Sequence, residues 1–222
     1  VTGTISKTTS EWNALYDAHV LYIKELAIAS QSFDIYRVAG INNGKLIGAG
    51  SEFVRFSSML AQGRFVMGIE SLFERKDDGV GLCSIRGLLS LAQRVPLNIS
   101  AAHIEFVEKY GVKPTSDWSV DVEEVLRKER PAVAECLRLT SKLRNYRLAH
   151  LVQPSQDEQT LMIPGIDASE KIISFAYDFY CFISRGFLQS QGAQLPDRAG
   201  RSLIGLLKQR FQLEDIQWNL PH

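Results

Sequence analysis

Asp167-Ala168-Ser169-Glu170-Lys171-Ile172-Ile173-Ser174-Phe175-Ala176-Tyr177-Asp178-Phe179-Tyr180-Cys181-Phe182-Ile183-Ser184-Arg185-Gly186-Phe187 is the stretch whose reading decides the fold class. Ile172, Phe175, Ala176, Phe179, Phe182, Ile183 and Phe187 recur at steps of three and four residues, which puts them on one face of a helix. Asp167 and Glu170 precede the run at capping-box spacing, with Asp standing in for Ser or Thr. This is the most apolar helical pattern in the chain, and it is expected in the centre of a helical bundle.

The same period governs the rest of the chain. Thr8 and Glu11 have capping-box spacing, and Trp12, Leu15, Tyr16, His19, Ile23, Leu26, Ala27 and Phe33 predict a helix over residues 10–38. Residues 39–50 are glycine-rich and predict a flexible connection, with Asn43-Gly44 suited to a short turn. Gly40 to Lys45 falls one residue short of a phosphate-binding loop, and Leu46 replaces its hydroxyl residue, so that reading is rejected. A second pattern follows, with Phe53, Phe56, Leu60, Val66, Ile69 and Phe73 as its apolar face. Leu82, Ile85, Leu88, Leu89 and Ala92 predict a third helix, stopped by Pro96, and Ala101, Ile104, Val107 and Tyr110 a fourth. Val120 to Arg130 is helical and charged, Pro131 either kinks it or opens a new helix, and Val133, Leu137, Thr140, Leu143 and Arg147 continue one face. Gln189 to Pro196 reads as a linker, and Leu203, Ile204, Leu207 and Phe211 mark a last helix. The chain is therefore expected to be all-α, a bundle over residues 1–188 with residues 189–222 appended to the same domain.

At 222 residues, 45% hydrophobic and 23% charged, such a chain can bury a core without disulfides or metals. The formal net charge of +0 gives no bulk attraction for nucleic acid, so any anion site must be local. Cys83, Cys136 and Cys181 are far apart and each lies in an apolar helical pattern, which implies buried reduced thiols and a cytoplasmic setting. No stretch approaches ~18 uninterrupted apolar residues, so no membrane span is expected. No pair among His19, His103, His150 and His222 has metal-ligand spacing with carboxylates nearby. His19 lies on an apolar stripe and is expected to be a bonded core or interface histidine. His103 finds Ile99 and Val107 at helical spacing rather than a ligand, and reads as surface or satisfied core.

One stretch concentrates cationic, amide and imidazole groups: Leu143-Arg144-Asn145-Tyr146-Arg147-Leu148-Ala149-His150, which closes a helical pattern shortly before Pro154. A guanidinium clamps an anion through its planar fork, an amide donates and accepts, and an imidazole moves a proton near neutral pH. On a regular helix Arg144 and His150 point ~120° apart with ~9 Å of rise between them. They converge on one phosphate if the helix unwinds near His150 or if a second subunit supplies half of the site. Spacing alone is equally satisfied by cations placed to complement the dipole of a helix end.

Arg144-Asn145-Tyr146-Arg147-Leu148-Ala149-His150 resembles the R-x(4–6)-H signature of the HEPN superfamily in its R-N-x-x-x-A-H form. Ile69 to Asp78, followed by Cys83-Ser84-Ile85-Arg86-Gly87-Leu88-Leu89, is similar to the abortive-infection type U branch, in which a helix runs into a charged turn and a Ser-led, Leu-rich helix follows. The resemblance covers roughly residues 10–188. It implies a homodimeric helical bundle with the two motifs facing each other, acting as a metal-independent, cofactor-free ribonuclease in phage defence or a toxin–antitoxin pair. RNA and a cognate antitoxin protein are the partners it implies. Carried over by residue, Arg144 would stabilise the scissile phosphate, His150 would transfer a proton, and Asn145 would orient the site or pair across the dimer. Helical spacing adds Arg147 as an auxiliary phosphate contact, and Tyr146 could stack on a base. Val152 stands where some members carry a modifiable Tyr, so regulation by that route is not implied. The alternative is a noncatalytic helical dimer that binds a partner protein or a nucleotide.

Overall fold

The computed structural model describes residues 2–42, 51–73, 84–95, 100–143 and 165–190, together with residue 209. Among them are six α-helices and no strand: α1 (Thr2–Ile41), α2 (Ser51–Phe73), α3 (Ile85–Ala92), α4 (Ser100–Lys109), α5 (Trp118–Leu143) and α6 (Ile166–Gly186). The chain is an all-α bundle, as the period of three to four residues requires.

Helix α6 is its axis and packs against all five of the other helices. Phe175, Phe179, Phe182 and Phe187 are at most 4% exposed, and each meets an aromatic ring from another helix. Phe106 of α4 stacks on Phe182 at 5.0 Å, and Trp118 of α5 meets Phe187 edge-on at 5.0 Å. Phe73 of α2 stacks on Phe175, and Tyr22 of α1 tilts against Phe179. Full burial of such a side chain stabilises the fold by about 1.5–3 kcal/mol, so this helix carries a large share of the apolar driving force. The Tyr22 hydroxyl solves its own burial by donating to the Ala176 carbonyl at 2.9 Å.

Helices α1 and α2 form an antiparallel pair. Phe33 meets Phe65 at 5.4 Å and Ala29 meets Gly68, so the numbers fall on one helix as they rise on the other. A Cβ at position 68 would lie 2.8 Å from the Ala29 Cβ, which makes glycine the residue that permits this approach.

Several boundaries and faces differ from the sequence expectation. Thr8 and Glu11 lie inside α1, which starts at Thr2, so they are not its cap. That helix also runs to Ile41, through the first residues of the expected connection over 39–50. The start of α6 is capped by Gly165 without a side-chain bond, and Asp167 sits in the first turn, where its charge complements the helix dipole. Pro131 lies within α5, so of its two expected roles it does not open a new helix. On α1, Tyr16 is 57% exposed while Tyr22, absent from the expected stripe, is buried. On α4, Ile104 is exposed and His103 is buried in its place.

The largest correction concerns α2. Val66 and Ile69 are buried with Phe65 and Leu72, whereas Phe53, Phe56 and Leu60 are more than half exposed. Thirteen residues of regular helix turn ~220°, so Phe53 and Val66 point to opposite sides and cannot share one face.

Candidate functional site

The motif follows the described part of α5 in sequence. Leu143 is the last described residue of that helix, and Arg144, Asn145, Tyr146, Arg147 and His150 lie outside the described residues. What the structure does define is how the stem leading to them is held.

The stem is anchored at its beginning. Asp117 accepts hydrogen bonds from the Ser119 and Val120 backbone amides and from the Ser119 hydroxyl, and these bonds hold its carboxyl below the usual range. That closes the first turn of α5. One turn further, Asp121 is 2% exposed and accepts three bonds: from His103 Nε2 at 2.8 Å, from the Thr115 amide at 2.6 Å and from the Thr115 hydroxyl at 2.8 Å. Burial alone would raise the Asp121 pKa, but the bonds from Thr115 and His103 together outweigh it, and the net shift is downward. The carboxylate thus ties α4, the turn before α5 and α5 itself together.

A cleft of about 980 Å³ opens beside this network, lined by Arg86, Lys113, Asp121, Glu123, Arg127 and Lys128 among others. Its rim is largely self-compensated. Arg86 pairs with Glu123, Arg127 with Glu124, and Lys128 donates to the Tyr110 and Gly111 carbonyls. Asp121 and Leu143 are 22 residues apart, which is ~33 Å along a straight helix. The cleft and the buried His103–Asp121 pair therefore stand at the opposite end of α5 from Leu143.

A second buried histidine lies on the α1–α6 contact. His19 Nε2 bonds the Ser184 hydroxyl at 2.7 Å, and its ring stacks on Tyr180 at 4.5 Å. Burial lowers its pKa to about 4, against a hydrogen bond with the Tyr180 backbone that pushes the other way. It is the bonded core histidine expected from its place on an apolar stripe. His103 proves to be satisfied core as well. Helical spacing along α4 does not reveal its partner, because Asp121 comes from the next helix. The available signal was the cap-like Thr115-Ser116-Asp117 ahead of a helix whose fourth residue is acidic.

A smaller pocket of about 230 Å³ lies between α4 and α6 around Cys181, a free, half-buried thiol whose pKa burial pushes up. Its charges are also paired: Lys109 with Asp178 at 2.7 Å, and Arg185 with Glu105 at 2.7 Å. Among the described residues no three His, Cys, Asp or Glu side chains are grouped as a metal site requires. No described helix is long and apolar enough to cross a membrane.

Comparison with protein-family models, with curated proteins and with solved structures finds no match for this chain.

Proposed function

We propose that this protein is a metal-independent RNA endonuclease of the HEPN kind, acting in phage defence or as the toxin of a toxin–antitoxin pair. The observation that carries the reading is Arg144-Asn145-Tyr146-Arg147-Leu148-Ala149-His150 following directly on the last residue of α5 in an all-helical chain. Cleavage within RNA needs no external nucleophile. The 2′-oxygen attacks the adjacent phosphorus as a base takes its proton, charge builds on the phosphoryl oxygens, and the 5′-oxygen leaves with a proton from an acid. His150 supplies one proton-transfer group per chain, and two chains supply the acid and the base. Arg144 stabilises the phosphoryl charge, Arg147 holds a neighbouring phosphate, Asn145 orients the site, and Tyr146 offers a stacking face. The products are a 2′,3′-cyclic phosphate and a 5′-hydroxyl.

The test is incubation of the purified protein with structured and single-stranded RNAs in EDTA, beside His150→Ala and Arg144→Ala. Wild type is expected to cut RNA, to leave DNA of the same sequence intact, and to yield cyclic phosphate ends. Each substitution is expected to lower the rate by about 10²–10⁴-fold, with the helical circular-dichroism spectrum unchanged. Equal cleavage by all three preparations, or none by wild type, overturns the assignment. The second outcome would leave a noncatalytic helical protein that binds a partner.

A further inference from the structure

The cleft of about 980 Å³ at the start of α5 takes no part in the proposed cleavage, and its charges do not all cancel. Val120, Glu123, Glu124, Arg127 and Lys128 recur at steps of three and four along α5 and form one wall. Among the described residues three carboxylates line the cleft, and each is already engaged. Glu123 pairs with Arg86, Glu124 with Arg127, and Asp121 accepts from His103 and Thr115. Two lining lysines remain that none of these carboxylates offsets. Lys113, exposed in the turn before α5, makes no hydrogen bond or ion pair among the described residues. Lys128 donates to the Tyr110 and Gly111 carbonyls, just past the end of α4, at 2.6 and 3.2 Å. Gly111 makes room for it: its φ of +64° suits glycine, and a Cβ there would lie 2.8 Å from the Lys128 Nζ. The amine is thus fixed in place with one of its three donors left over.

The size of the excess selects the ligand. A helix C-terminus offsets only about half a unit charge, so Lys128 keeps roughly half of its own and Lys113 keeps all of it. Both amines can meet one anion, because Lys113 follows Gly111 by two residues, a span of at most ~7 Å. Together they leave roughly one and a half positive charges, which match a phosphate monoester at about −1.5 to −2 near pH 7. A carboxylate or a phosphodiester supplies less. Val120, 59% exposed, and Leu126 give the cleft an apolar side on which the body of such a ligand can lie. The whole chain is formally neutral, so the attraction is confined to this place. The volume is at the upper end for small-molecule sites and admits a compound of nucleotide size.

We infer that this cleft binds a phosphate monoester of nucleotide size, with Lys113 and Lys128 holding the phosphate. The inference stands on the lining charges and does not depend on the nuclease reading. Isothermal titration calorimetry of the full chain is expected to show binding of AMP and none of adenosine. Lys113→Gln and Lys128→Gln are each expected to weaken AMP about tenfold. The second variant keeps donors for the two carbonyls, so the end of α4 stays held. Lys171→Gln, which removes an exposed cation on α6, should leave AMP binding unchanged. A short RNA with a 5′-phosphate or a 5′-hydroxyl, added to the His150→Ala chain so that cleavage does not enter, locates the source of the monoester. Displacement of AMP by the 5′-phosphorylated RNA alone assigns the site to an RNA end, and displacement by neither assigns it to a free small ligand; both uphold the inference. Displacement by the 5′-hydroxyl RNA shows a backbone site and overturns it. So does an AMP affinity indifferent to both lysine substitutions, or no binding of AMP or inorganic phosphate at millimolar concentration.

Discussion

His19 and His103 are buried alike, at 5% and 4% exposure, and the difference between them lies in what each one meets. His19 faces a serine hydroxyl and a tyrosine ring, neither of which offsets a positive charge. His103 faces a carboxylate that also holds a turn in place through Thr115. The first joins α1 to α6 as a neutral packing element. The second joins α4 to α5 through an acceptor that three donors share. Burial therefore does not fix what a histidine does; the partner supplied by another helix does.

The strongest way to break that contrast is to remove the acceptor. Asp121→Ala strands the Thr115 amide, its hydroxyl and His103 Nε2 together, and should cost about 3–5 kcal/mol in urea unfolding at pH 7. Asp121→Asn keeps an oxygen for His103 and the Thr115 amide and reverses only the hydroxyl bond, so it should cost markedly less. Equal losses from the two variants would show that charge, not the shared oxygen, carries the junction.

Acid sharpens the contrast next. A neutral buried His19 with a folded pKa of about 4 against 6.5 unfolded favours unfolding as pH falls, because the unfolded chain takes up the proton first. Its contribution is whole above 6.5, declines between 6.5 and 4, and levels off below, for a loss of up to about 3 kcal/mol. Asp121, with its pKa lowered from 3.8, matters only below that value and in a separate window. His19→Gln keeps a donor and an acceptor without titrating, so its stability should stay flatter from pH 6.5 to 4. A decline as steep as that of wild type would mean that another group titrates there.

The two histidines also mark where sequence reading succeeds and where it stops. The helices were legible because burial on one side imposes a period of 3.6, and α6 kept every expected phenylalanine inside. His19 was legible because it sat on that stripe. His103 was not: the expected face of α4 ran through Ile104, and only a carboxylate from α5 makes a buried imidazole tolerable one residue earlier. The face of α2 was illegible for another reason. Two apolar stripes run along it, one inward through Phe65, Val66 and Ile69 and one outward through Phe56 and Leu60, and a period does not say which is covered. The candidate site was legible only as chemistry, from residue types crowded after Leu143, because Arg144 to His150 lie beyond the described end of α5.

The finest probe separates the two roles of the Asp121 junction. Thr115 gives it an amide and a hydroxyl, and the hydroxyl also accepts from the Asp117 amide at 3.2 Å, linking the buried carboxylate to the cap of α5. Thr115→Val removes the hydroxyl and keeps the shape and the amide, so it should cost about 1 kcal/mol, well under Asp121→Ala. Hydrogen exchange at Ser119 and Val120 gives the second readout. Faster exchange there, with α4 unchanged, would show that the hydroxyl serves the helix start, whereas equal loosening of α4 would show that the whole network moves as one unit. Because Arg144 follows α5 in sequence, the first result would also predict, under the proposed nuclease reading, that Thr115→Val leaves cleavage unchanged, since the turn that opens lies more than ~30 Å from Leu143 along a straight helix.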